Sequence, residues 1–175
     1  MVRRCRPTVE GINISNKNPS FAELLRSPTL FLAFGFGSGL APKAPGTMGT
    51  LAAIPLWLLL CQLPVSLYWS VIAISAIVGI YICDRASSKL GVHDHSGIVW
   101  DEFVGLWIAL AFIEPQLNSI IIGFILFRFF DIVKPWPINW LDKRVGNGTG
   151  IMIDDIVAGF FAAMLIVIVS SLGFL

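Results

Sequence analysis

Charge is what this sequence has least of. Asp, Glu, Lys and Arg make up 13% of 175 residues, against 56% apolar residues and a mean hydropathy of +0.81. A soluble domain is nearer one-quarter charged, so an ordinary water-soluble globule is not expected, and neither is disorder. Net charge is only +1, which argues against a nucleic-acid binder. Cysteine is scarce as well: Cys5, Cys61 and Cys83 are odd in number and form no C-x-x-C pair, so neither a disulfide framework nor a zinc site is indicated. No short apolar core with a cleavage site follows Arg6, and a removable signal peptide is not expected.

What the chain has instead is long apolar runs. From Gly46 to Cys83 no charged residue occurs in 38 positions. A helix spans a bilayer with about 20 residues, so this stretch reads as two spans joined by a turn at residues 62–66, where Pro64 does least harm. Further apolar segments lie at residues 98–113, 117–133 and 151–172. The expected fold is all-α, a polytopic membrane helical bundle with about five spans, or four if one segment only dips in. Residues 31–40, broken by Gly35, Gly37 and Gly39, read as an interfacial or re-entrant piece. Residues 1–27 are expected to form a polar cytoplasmic tail and residues 28–175 a single membrane-embedded domain. Lys43, Arg85, Lys89, Lys143 and Arg144 fall on one side, whereas the connections at 62–66 and 114–118 carry no basic residue. The positive-inside rule therefore puts the long loops, and a site on that face, in the cytoplasm.

Eight carboxylates fall on that same side: Asp84, Asp94, Asp101, Glu102, Asp131, Asp142, Asp154 and Asp155. Several interrupt apolar runs, as in GIVWDEFVGLW, FRFFDIV and GIMIDDIVAGF. An acid in a span costs roughly 2.5–3.5 kcal/mol, so a group of them needs a compensating cation. Lone acids have simpler readings: Asp142 suits a solvated loop, and Asp84 reads equally well as an interface charge. The adjacent pairs Asp101–Glu102 and Asp154–Asp155 are harder to dismiss, because neighbours on a helix point 100° apart and at least one of each pair should face the bundle. Oxygen ligands without a Cys or His quartet point to Mg²⁺ or Mn²⁺. Gly105 and Gly159 each follow an acid by one turn, and would let the two acidic helices approach closely.

Arg128, Asp131 and Lys134 recur at i, i+3 and i+6, one charged stripe along a helix. It reads either as a self-neutralising ion pair or as a phosphate grip, for which Arg is well shaped. Two glycine-rich stretches, GFGSGLAPKAPGTMGT with Lys43, Thr47 and Thr50, and GNGTG before Asp154, open into helices. They suit close backbone approach to an anion, or simple hinges with a Thr cap. Neither fits the P-loop or the G-x-G-x-x-G pattern. His93 and His95 flank Asp94 and serve either as a polar cap or as a general acid.

The C-x5-R, D-x-D-x-[Thr/Val] and K-x6-R-P signatures of other phosphate-transferring enzymes are absent. The blocks GFGSGL, PGTMGTLAAIP, GVHDHSGIVWDEFVG, FRFFDIVKPWPI and GTGIMIDDIVAG stand in order along the chain, and in them it resembles the bacterial phosphatidylglycerophosphatase A family. The resemblance implies a Mg²⁺-dependent inner-membrane hydrolase that removes the terminal phosphate of phosphatidylglycerophosphate. Under it Asp101, Glu102, Asp154 and Asp155, with Asp84 or Asp131, are expected around the metal. Lys43, Thr47, Thr50, Arg128 and Lys134 are expected around the phosphate, and His93, Asp94 or His95 at the leaving oxygen. Attack by water and a covalent aspartyl-phosphate both stay open. A transporter is the rival reading, disfavoured because the acids gather at one face and the midplane is bare.

Overall fold

A computed structural model describes residues 18–92, 95–140 and 147–171. Ser20 caps α1 (Phe21–Arg26) in a capping box with Glu23, and the Ser20 backbone N–H and hydroxyl hold that carboxyl below its usual value. Leu24 of α1 is fully buried, so the region expected to be tail is folded from residue 20 onward. Ser27 ends α1 and caps α2 (Pro28–Ala33). Residues Gly35–Leu40 then coil in tight 3-10 turns, with Gly35 and Gly37 at positive φ. This unit is a cap rather than a span: Val99 N–H donates to Ala33 C=O at 2.8 Å, and Gly35 abuts Phe103 and Val99.

Pro45 opens α3 (Pro45–Leu60), with Ala44 in a left-handed conformation before it. Pro64 precedes α4 (Val65–Leu90), where the turn at residues 62–66 was expected. α5 (Trp100–Ala109), α6 (Leu117–Val133) and α7 (Asn147–Ser171) follow. Among the described residues there is no strand.

Every residue of α5 is buried, with α3, α4, α6 and α7 packed around it. Polar anchors fix it inside this sheath. Trp100 Nε1 donates to Ser75 C=O, and Trp107 Nε1 to Ala53 C=O, both at 3.1 Å. Tyr68 OH donates to Trp107 C=O at 2.5 Å. Because its neighbours shield it on all sides, α5 needs no lipid-facing surface. At ten residues it rises only about 15 Å, half a hydrocarbon thickness, so the apolar segment at 98–113 is a short core helix with irregular ends.

Two helices, α4 and the Gly148–Ser171 part of α7, are long and apolar enough to cross a membrane. Large apolar side chains stand exposed along the outer helices, among them Ile74 and Ile77 on α4, Ile121 and Ile125 on α6, and Met164 and Val167 on α7. Such a belt suits lipid better than water.

Candidate active site

Four helix ends meet at one end of the bundle: the starts of α3 and α5, the end of α6 and the first turns of α7. Between them lies a cavity of about 390 Å³. Asp101, Glu102, Arg128, Asp131, Lys134, Asp154 and Asp155 all line it, with Ser96, Ala44, Pro45 and Gly46 among the other lining residues.

Both acids of each pair reach the cavity. In α5 this follows from full enclosure, which leaves no solvent face for either neighbour. The helices of the two pairs touch through glycine. A Cβ on Gly159 would strike the Gly105 carbonyl, and one on Gly105 would lie 2.8 Å from the Asp155 carbonyl oxygen. The expectation that Gly105 and Gly159 draw the acidic helices together is met in this geometry.

The charges are partitioned. Arg128 Nη1 lies 2.7 Å from Asp131 Oδ2, one turn along α6, and 3.2 Å from Glu102 Oε1 on α5. It also donates to Thr50 Oγ1 at 3.4 Å. Lys134, held at a left-handed position at the end of α6, pairs with Asp154 Oδ2 at 2.5 Å. The other Asp154 oxygen accepts from the Asp155 N–H at 3.2 Å. Among the described residues, two buried carboxylate oxygens are without a hydrogen-bond partner, Asp101 Oδ1 and Asp155 Oδ2. Unpartnered buried carboxylate oxygens are costly, and a cation would satisfy both. Among the described residues, no three Asp, Glu, His or Cys side chains form a ready-made metal cluster.

Other expected residues stand elsewhere. Asp84 is exposed on α4, because Cys83, Ala86 and Ser87 take that helix's inner face and Asp84 lies off it. His95 is buried behind the cavity wall; its Nδ1 accepts from Gly97 N–H at 3.1 Å and its ring packs on Phe34. Lys43 is exposed and Thr47 half-buried, and neither lines the cavity, whereas Thr50 is fully buried behind it. His93 and Asp94 lie outside the described residues. Gly46 and Gly49 were not singled out among the expected site residues. A Cβ at Gly46 would strike Glu102 Oε1, and one at Gly49 would come within 2.7 Å of Glu102 Oε2. Small residues at i, i+3 and i+4 (46, 49 and 50) were the available signal for this seat.

The family model for phosphatidylglycerophosphatase A matches residues 31–170, most of the chain and all the described residues of the cavity. This chain belongs to the phosphatidylglycerophosphatase A family. A phosphatidylglycerophosphatase A of Escherichia coli (strain K12) is 51% identical over 140 residues, covering 79% of this chain and 81% of that protein. One from Haemophilus influenzae is 46% identical over 156 residues, covering 87% and 95%. A protein of Bacteroides thetaiotaomicron, provisionally named a phosphatidylinositol-3-phosphatase, is 38% identical over 160 residues, covering 87% and 96%. No solved structure matches the chain.

Proposed function

We propose that this member of the phosphatidylglycerophosphatase A family hydrolyses the terminal phosphate monoester of phosphatidylglycerophosphate, leaving phosphatidylglycerol and inorganic phosphate. The carrying observation is the cavity: two cations and five carboxylates gathered at one end of an apolar bundle. Arg128 and Lys134 bind the phosphate dianion, each kept in place by the carboxylates that neutralise it. Asp101 and Asp155 would repel that dianion unless a cation lay between them and it.

The donor set fits Mg²⁺, which typically takes one or two carboxylates and completes its shell with water and substrate phosphate. Asp101 and Asp155, each with an unpartnered buried oxygen, would hold it. When bound, the ion supplies neutralisation of the phosphate oxygens as charge shifts during transfer. Glu102, Asp131 and Asp154 serve the cations instead. The enclosing helices exclude bulk water from all sides but the cavity mouth, which strengthens every charge interaction inside.

The exposed apolar belt supports a location in the bacterial inner membrane, with the outer helices facing lipid. In this reading the chain crosses about five times, the whole 98–113 segment rather than α5 alone making the passage inside the sheath of the other helices. Lys43, Arg85 and Lys89 lie at the cavity end and turn it towards the cytoplasm. The acyl chains then stay in lipid while the headgroup enters the cavity.

The test is phosphate release from phosphatidylglycerophosphate by the full-length protein in detergent, with Mg²⁺ and with a chelator. Release that needs Mg²⁺ is expected. Release undiminished by chelator removes the metal from the proposal, and no release under either condition removes the activity. Phosphatidylinositol 3-phosphate serves as the comparison substrate; a preference for it would reassign the headgroup.

A further inference from the structure

Arg128 is more tightly held than a phosphate grip on a surface would be. Its Nη1 faces three oxygens from three helices, Glu102 Oε1 on α5, Asp131 Oδ2 on α6 and Thr50 Oγ1 on α3. Its Nε, by contrast, is buried and has no hydrogen-bond partner. One edge of the guanidinium is thus anchored on three helices, and the residue lines the cavity that an anion would enter.

Thr50 closes this anchor from behind. It is fully buried and outside the cavity wall, so it does not touch the substrate. Its hydroxyl accepts from Arg128 Nη1 at 3.4 Å. The same hydroxyl lies 3.4 Å from Glu102 Oε2 and 3.0 Å from Gly46 C=O, either of which can take its single proton. Gly46 and Gly49 leave the Glu102 carboxylate room to rest against α3 beside it. A threonine bonded only to the carbonyl four residues back would be ordinary helix structure. This one also stands between the two members of a buried ion pair.

We infer that Thr50 is a positioning residue for phosphate binding: its hydroxyl, seated between Glu102 and Arg128, sets where the guanidinium meets the lipid phosphate. The inference rests on the reading of Arg128 as a phosphate ligand, and the experiment separates the two.

The full-length protein and its Thr50→Val, Thr50→Ala, Thr50→Ser, Arg128→Ala and Thr50→Val/Arg128→Ala variants are assayed in detergent with phosphatidylglycerophosphate, and with inorganic phosphate as inhibitor. Thr50→Val and Thr50→Ala should raise KM and the phosphate inhibition constant about tenfold, equivalent to about 1.4 kcal/mol, with kcat nearly unchanged. Thr50→Ser should restore both constants, and Thr50→Val should add nothing to Arg128→Ala. Thr50→Ala removes the hydroxyl without setting a methyl against the Gly46 carbonyl, and carries the test if the valine variant does not fold. Unchanged constants in Thr50→Ala, or an equal defect in Thr50→Ser, overturn the inference while leaving Arg128 in its role. An Arg128→Ala variant with unaltered KM overturns the reading beneath it.

Discussion

Gly159→Ala adds one methyl group to α7 at its crossing with α5. That Cβ would strike the Gly105 carbonyl oxygen and lie 3.1 Å from both the Gly105 carbonyl carbon and Ile108 Cβ. Backbone cannot turn aside as a side chain can. The two helices must part by about 1 Å to restore an ordinary carbon–oxygen contact of roughly 3.3 Å. Overpacking of this kind costs about 1–3 kcal/mol, and alanine's better helix propensity returns about 1 kcal/mol, so the variant should fold. Asp155 and Asp101 sit one turn before the two glycines, and the parting of the helices carries them apart. A misplacement of about 1 Å at reacting groups lowers the rate on the order of 100-fold. The assay is Mg²⁺-supported phosphate release in detergent, alongside gel filtration and thermal unfolding. Gly123→Ala is the control, since its Cβ would clash with the end of the Leu110 side chain rather than with backbone and would touch Ile166 Cδ1 at an ordinary 3.5 Å. Near-parental turnover in Gly159→Ala would refute the claim that this crossing holds the two acids in register.

Asp101→Asn and Asp155→Asn should each cut turnover to below about 1% of the parent while the protein still inserts and elutes as before. Activity retained in both, measured by phosphate release, would remove these residues from the site. Arg128→Ala should raise KM by about tenfold or more with a smaller change in kcat, read from steady-state kinetics in mixed micelles. Lys134→Ala leaves Asp154 without its cation and should lower stability by about 1–3 kcal/mol in thermal unfolding, whereas Lys43→Ala, at an exposed position, should not.

Much of the architecture was legible because a few local rules carry it. Pro64 marked the turn between α3 and α4, and the i, i+3 spacing set Arg128 beside Asp131, whereas Lys134 reaches the same cavity from its left-handed position at the end of α6. Gly105 and Gly159 foretold the crossing of the acidic helices, since only small residues permit that approach. Less could be read about length. The 98–113 segment looks like a span in composition, but its interior position lets a helix of ten residues suffice. The division of labour among the acids was also out of reach. Glu102 and Asp154 resemble Asp101 and Asp155 along the chain, and only tertiary packing decides which meets Arg128 or Lys134 and which is left with an unpartnered oxygen. Asp84 and His95 stand where helix phase and local capping put them, away from the cavity.

Binding, rather than turnover, shows whether Asp101 and Asp155 together hold a divalent cation as proposed. Chelator-treated protein in detergent is titrated with Mn²⁺ and free ion is followed by electron paramagnetic resonance. The parent should show saturable binding, lost in Asp101→Asn and in Asp155→Asn but kept in Asp84→Asn. Binding of Mn²⁺ by both cavity variants at the parental affinity would mean that neither carboxylate is a ligand.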